Sequence, residues 1–376
     1  MVQHLKRKTF KKTFANKALA VQRHNIGLLF FLPILLTIIG LFFIFEASSV
    51  TAFRQLGDSF YFFRQQLIWC LLGICAMTFF SYFDYKRLYY FAFPLLLVSL
   101  VFLVAVLIPG IGSTVYGARR WINFGFFSFQ PTELAKISVI LYLSSWFLYK
   151  DRKRFLHFIL ILAGMIGLVM MQPDLGTSII IFSLFIAIYF LSGEKLKYLY
   201  GLLPIAFAGV IGLIIASPYR LRRLMSFLDP KADPQGVSYH INQILISLSS
   251  GGVFGRGFSN SRQKYQFLPE AHTDSIFAII GEEVGFIGSV LLIMVYLLLL
   301  YSLYQVAVHS KDRFGFLLTG SILTLMSLHA VINLGGMTAI MPLTGVPLPF
   351  ISYGGSSLVI FYSLMGIVIS VARRTN

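Results

Sequence analysis

The sequence predicts an all-α polytopic membrane protein with about ten transmembrane helices. Three observations carry that expectation. Of 376 residues, 57% are hydrophobic and only 12% charged, with a mean hydropathy of +0.80, so there are too few polar groups to clothe a soluble globule of this length. Apolar runs close to the ~20 residues that a spanning helix needs recur along the chain. Lys and Arg gather at alternate breaks between those runs, the positive-inside pattern, which puts both termini on the cytoplasmic side.

In chain order, Lys6, Arg7, Lys8, Lys11, Lys12, Lys17 and Arg23 make residues 1–25 a basic cytoplasmic segment. Its placement before a span reads as an orientation and lipid-headgroup signal, so the net charge of +17 points to a membrane and not to nucleic acid. Residues 26–374 read as a single membrane domain with spans at 26–46, 65–83, 88–108, 132–149, 155–171, 175–192, 198–217, 275–306, 314–336 and 354–372. The first run has no small-residue cleavage site and continues for a full span, so it is expected to be retained. The run at 275–306 is overlong, and its first turns are expected to project from the membrane or form a separate short helix. Cys70 and Cys75 lie in one expected span with no further Cys to bridge or bind metal, and read as inert. The later basic clusters, Lys86-Arg87, Lys150 with Arg152 to Arg154, Lys195 with Lys197, Lys311 with Arg313, and Arg373-Arg374, fall on the cytoplasmic side.

Three breaks carry the functional signal. The long connection 218–273 counts as outer, yet holds Arg220, Arg222, Arg223, Lys231, Arg256, Arg262 and Lys264, against positive-inside; an anionic ligand such as a phosphate is the physical use for such a cluster. The break after the third span brings Arg119, Arg120 and Trp121 to the same side and enters the fourth span through Pro131, Glu133 and Lys136. The stretch "GGMTAIMPLTGVPLPFISYGGSS" is uncharged but too rich in Pro and Gly for one helix, and apolar broken backbone at membrane depth lines a cavity or packs on protein.

Among individual residues, Glu133 and Lys136 share a helical face, and an intramembrane Lys is costly unless paired or solvated. They read either as a structural pair or as a pair facing a polar cavity. Asp274, at the entry to the eighth span with His272 and Thr273 before it, is explained by the helix dipole alone; in the company of Arg119, Arg120 and Lys136 it also reads as a general base beside an anion site. Glu282 and Glu283 read as structural, one of them partnering an Arg or Lys. Asp174 reads as a helix cap, and His329 with Asn333 as interhelical hydrogen bonding. The glycine-rich "GGVFGRG" lacks a preceding strand and a Lys-Ser/Thr end, and reads as a loop; there is no HExxH, no His/Cys metal spacing and no GxSxG elbow.

The motifs "YGARRWINFG", "SFQPTELAK", "QPDLGTS", "YRLRRLMSFLDPKADPQGVSYHINQ", "FLPEAHTDSIFAIIGEEVGFIG" and "MPLTGVPLPFISYGGSS" stand in the order found in the SEDS family (shape, elongation, division, sporulation). The chain resembles that family over residues 26–374, with "ADPQG" and "LPEAHTD" closer to its division-type than to its elongation-type members. The resemblance implies a ten-span fold and a peptidoglycan glycosyltransferase that polymerises lipid II at the outer face of the bacterial cytoplasmic membrane, at the division septum. It implies that Asp274 is the base and that Glu133, Lys136, Arg120 and Trp121 belong to the site; Arg119, Arg222, Arg223 and His272, on the same outer side, are read as further substrate-binding residues. It also implies a divalent cation (Mg or Mn), which no motif in the sequence displays, and a class B penicillin-binding protein (a transpeptidase) with other divisome proteins as partners. One departure stands beside the Asp: the family commonly has Phe where this chain has Ser275. A lipid II flippase and a recruiting scaffold stay compatible with the same residues.

Overall fold

The computed structural model describes residues 2–115, 118–125, 127–149, 154–215, 217–229, 236, 238–265 and 267–374. Each of the ten apolar runs is a helix: α1 (Val2–Leu56), α2 (Tyr61–Tyr82), α3 (Leu88–Ala105), α4 (Pro131–Trp146), α5 (Arg154–Met171), α6 (Leu175–Leu191), α7 (Lys197–Ile215), α10 (Ile276–Val308), α11 (Arg313–Met337) and α12 (Gly355–Arg374). Among the described residues, six helical stretches are long and apolar enough to cross a membrane: Asn25–Leu56, Tyr61–Tyr82, Tyr85–Ala105, Ile276–Val308, Arg313–Met337 and Gly355–Arg374. The chain is therefore a polytopic helical membrane protein.

Burial separates centre from rim. In α11 and α12, 67% of the apolar window lies inside the protein, against 22% in α2 and 28% in α3 and α10, so α11 and α12, with the largely buried α4, form the middle, and α2 and α3 lie at the perimeter. Perimeter side chains such as Leu71, Phe79, Phe91 and Val101 are exposed, as a surface solvated by lipid tails requires. Helices α2 and α12 meet closely because a Cβ on Gly73 would strike the Tyr362 ring and one on Gly366 the Met77 carbonyl. Small residues at a helix seam let two backbones approach. Both cysteines are free thiols; Cys70 lies in the core as expected, whereas Cys75, read as a core residue too, is exposed on α2.

The overlong run divides as expected. Gly285 (φ 71, ψ −168) breaks α10 after its first turns, a conformation that favours Gly because a Cβ there would crowd the backbone. The opening stretch, Ile276 to Ile280, is almost wholly buried and anchors the residues just before it.

Two regions carry structure that the apolar pattern did not reveal. The break after α3 is a three-stranded antiparallel sheet, β1 (Gly112–Val115), β2 (Ala118–Asn123) and β3 (Ser128–Phe129), in the order β1-β2-β3. The long connection holds two helices, α8 (Pro218–Leu228) and α9 (Tyr239–Gly251). Lys150, Arg152, Lys153 and Lys231 lie outside the described residues.

Between α11 and α12 the backbone is irregular, and its carbonyls are met by side-chain donors from four helices. Arg223 donates to Leu343, Asn333 to Val346, His329 to Pro347, Tyr296 to Pro349 and Gln66 to Ser352. A main-chain carbonyl left without a donor away from water is expensive, so these bonds are what allow non-helical backbone inside the bundle.

Candidate functional site

Asp274 owes its position to a turn written in "PEAHTDS". Glu270 adopts a left-handed φ of 51, and its carbonyl accepts from the backbone N–H of both Thr273 and Ser275. Thr273 also donates its hydroxyl to the Glu270 carboxylate at 2.7 Å. The turn delivers Asp274 just ahead of the buried first part of α10, and Asn333 of α11 donates to the Asp274 carbonyl at 2.9 Å.

A cavity of about 80 Å³ opens here. Arg223, His240, Glu270, Asp274, Asn333 and Thr344 line its polar side, and Ile332, Met337, Leu343 and Val346 form the apolar side. Gly345 (φ 76) passes so close that a Cβ on it would sit 3.2 Å from Asp274 Oδ2. Burial, reinforced by the Glu270 carboxylate, pushes Asp274 up to about 7 against the opposing pull of Arg223 and Arg120, with Asp174 adding to the rise. The carboxyl therefore changes charge near neutral pH. Burial and the neighbouring Arg223 depress His240 to about 4, so its imidazole is neutral at pH 7.

Ser275, the residue after Asp274, is fully buried, and its hydroxyl meets His240 Nε2 at 2.8 Å, which holds the imidazole beside the cavity.

The other expected site residues divide. Arg223 and Asp274 share the cavity. Arg120 stands behind it, its Nε donating to the Gln172 carbonyl at 3.1 Å and lying 4.0 Å from Asp174 Oδ2. Asp174 caps α6 by accepting from the Thr177 N–H. Arg119, the preceding residue of β2, is exposed and donates to the Leu107 carbonyl at 3.4 Å. Trp121 has its carbonyl held by Ser113 in the sheet. Arg222 bonds to the Pro218 carbonyl of its own helix and does not line the cavity. His272 packs its ring against Phe62 at 4.5 Å and Tyr353 at 5.6 Å, an aromatic contact that supports the turn.

Lys136 and Glu133 form a buried pair, 2% and 4% exposed, with Nζ to Oε1 at 2.8 Å. Lys136 is also 3.1 Å from His329 Nε2 and is absent from the cavity wall. The surplus of basic residues in the long connection is partly consumed by structure: Lys264 pairs with Glu46 at 2.7 Å and Glu283 at 3.5 Å, and Arg256 with Glu282 at 3.8 Å. Both Glu282 and Glu283 thus have cationic partners, where the sequence context implied one.

Among the described residues no three His, Cys, Asp or Glu side chains converge as metal ligands. Asp274 and Glu270 on one wall still fit the way Mg²⁺ is commonly held, by one or two carboxylates with substrate phosphates completing the shell. Glu270, His240, Asn333 and Thr344 were not foreseen as cavity residues. They come from separate segments, and each alone reads as ordinary turn, loop or helix chemistry.

Comparison with known proteins gives this arrangement a context. Over 353 residues, 91% of this chain and 95% of the other, the chain is 37% identical to a probable peptidoglycan glycosyltransferase FtsW of Geobacter sp. (strain M18). It is 36% identical to stage V sporulation protein E of Bacillus subtilis (strain 168), covering 93% of this chain and 97% of that one. Its fold superimposes on a chain of a peptidoglycan synthase complex that coordinates polymerization and crosslinking, with a TM-score of 0.76 at 28% identity over 92% of this chain and 97% of the other. The rod shape determining protein RodA of Thermus thermophilus matches with a TM-score of 0.68 at 26% identity over 92% and 95%. The cell cycle protein model spans residues 27–376, a stretch that contains all six motifs, and the chain belongs to the FtsW/RodA/SpoVE family.

Proposed function

We propose that the chain is a peptidoglycan glycosyltransferase of the division type, polymerising lipid II into β-1,4-linked glycan with Asp274 as general base. The observation that carries this reading is a carboxyl poised near pH 7 on a cavity wall shared with Arg223. A base whose pKa lies near the working pH is the best compromise between being deprotonated and being basic enough.

Asp274 takes the proton from the 4-hydroxyl of the acceptor N-acetylglucosamine as that oxygen attacks the anomeric carbon of the donor. The C–O bond to undecaprenyl pyrophosphate breaks as the new one forms, inverting the anomeric centre without a covalent enzyme intermediate. Arg223, with Arg120 behind it, offsets the negative charge of the leaving pyrophosphate. A divalent cation, Mg or Mn, fits beside Asp274 and Glu270 and when bound would neutralise the same pyrophosphate. Neutral His240 and Thr344 complete the polar wall of the cavity.

The ten helices act as ten spans, with both termini cytoplasmic and the Asp274 end facing outward. The family relationship favours a place at the septum beside a class B penicillin-binding protein, which would crosslink the strands made here. A gel assay of purified protein with lipid II, alone and with its cognate transpeptidase, tests the reading. Polymer from wild type with a loss of ~100-fold or more in folded Asp274→Ala is the expected result. Absence of polymer under every partner condition, with lipid movement in vesicles still measurable, would replace the polymerase by a lipid transporter.

A further inference from the structure

Lys136 sits where a substrate-binding cation would be expected from the sequence, but it is buried, already bonded on two sides, and off the cavity wall. Its second partner is informative. His329 Nδ1 lies 3.2 Å from the Pro347 carbonyl, which can only accept, so the proton is on Nδ1 and the lone pair of Nε2 faces the Lys136 ammonium. One helical turn further along α11, Asn333 donates both of its amide hydrogens, to the Val346 carbonyl at 2.8 Å and to the Asp274 carbonyl at 2.9 Å. Adjacent carbonyls of the irregular segment are therefore held from one face of α11. The residue before them, Gly345, is packed on the Asp274 carboxylate.

We propose that Lys136, His329 and Asn333 are positioning residues, a buried relay that sets the register of residues 345–347 and through them the aim of Asp274. Lys136 fixes the His329 tautomer and ring, His329 fixes Pro347, and Asn333 ties the same stretch of backbone to Asp274. Glu133 supplies the counter-charge that lets a Lys stay buried, and its Oε2 has no further partner among the described residues. The cation that meets substrate is then Arg223, with Arg120 standing behind it. This inference rests on the reading of Asp274 as the base.

Full-length protein, with its transpeptidase where activity needs it, carries the test in variants that separate the two bonds of His329. Glutamine at 329 keeps an acceptor for Lys136 but loses the donor to Pro347. His329→Gln is expected to lower turnover by ~100-fold while the Kd for lipid II stays within ~3-fold, the pattern of a misaimed group and not of lost binding. Lys136→Met is expected to behave alike, and the double variant to be no worse than the poorer single one, as coupled residues require. Amide hydrogen exchange over residues 343–353 is expected to quicken by ~10-fold in each. If Lys136→Met fails to accumulate, the uncharged pair Glu133→Gln/Lys136→Met takes its place.

Weakened lipid II binding by ~10-fold in Lys136→Met, multiplying penalties in the double variant, or unchanged exchange over 343–353 would each overturn the relay. Wild-type protein that makes no polymer would instead defeat the glycosyltransferase reading, and the exchange arm would still decide whether the relay exists.

Discussion

Gly345 and Asp274 are in contact through the absence of a side chain: a Cβ on the glycine would stand 3.2 Å from the carboxylate Oδ2. The irregular segment that contributes Gly345 is separated from Asp274 in the chain by the whole of α10 and α11, so this contact exists only in the folded bundle. Gly345→Ala meets two penalties, the left-handed φ of 76 and the crowding of Oδ2. We expect ~1–3 kcal/mol of destabilisation and at least ~10-fold lower turnover. Thermal unfolding in detergent and the lipid II assay check the two separately.

The carboxylate pair on the cavity sets a pH profile. With Asp274 at about 7, turnover is expected to rise with pH through that value as the base loses its proton. Glu270→Gln removes the like charge and should move the midpoint to lower pH. A rate–pH profile whose midpoint is the same in both proteins would discount any electrostatic role for Glu270.

Stability should run the other way. The folded state raises the Asp274 pKa from 3.8 to about 7, so the folded protein holds a proton that the unfolded chain has released. Between those values stability declines as pH rises, and the penalty is complete above 7. Asp274→Asn is therefore expected to melt higher than wild type at about pH 8 and nearly equal to it at about pH 4. Parallel melting curves at the two pH values are the measurement.

Two adjacent arginines should differ. Arg223 reaches the cavity, whereas Arg222 bonds to its own helix start. Arg223→Gln is expected to raise KM for lipid II by ~10-fold, and Arg222→Gln to leave it within ~2-fold. Equal effects would mean that α8 contributes only a diffuse positive field.

Lys264 joins three elements, pairing with Glu46 of α1 and Glu283 of α10 from the connection after α9. Lys264→Met leaves two nearly buried carboxylates facing each other, and a loss of ~3–5 kcal/mol is expected. Chemical denaturation of Lys264→Met beside Arg262→Gln measures it.

Much of this architecture was legible in the sequence. Helices announce themselves by hydropathy because a membrane span must satisfy its own backbone and present apolar side chains, and all ten runs are helical. The excess length of the eighth run foretold the Gly285 break, and the Pro and Gly content foretold the irregular segment. The sheet after α3 was hidden because its strands are short and β2 carries Arg119 and Arg120 side by side, a pair that looks like one basic patch until the fold gives them different carbonyl partners, Leu107 for the first and Gln172 for the second. Asp274 was legible as a candidate, but the residues that surround it were not. Nothing in the sequence singles out Glu270 or His240 as neighbours of Asp274, and Lys136 could be a structural pair or a ligand because sequence shows that a charge is present and not what it is already bonded to.

The side-chain donors to the irregular segment have a consequence for how the chain is made. Gln66, Arg223, Tyr296, His329 and Asn333 are all synthesised before residues 343–352, and each is bonded to a carbonyl that emerges later. A nascent chain halted after α11 holds these polar groups without their acceptors, and α2 without the α12 seam. The chain beyond α11 is thus a keystone: biogenesis leaves an open arch, with Asp274 unaimed, until the C-terminal helix inserts and closes it.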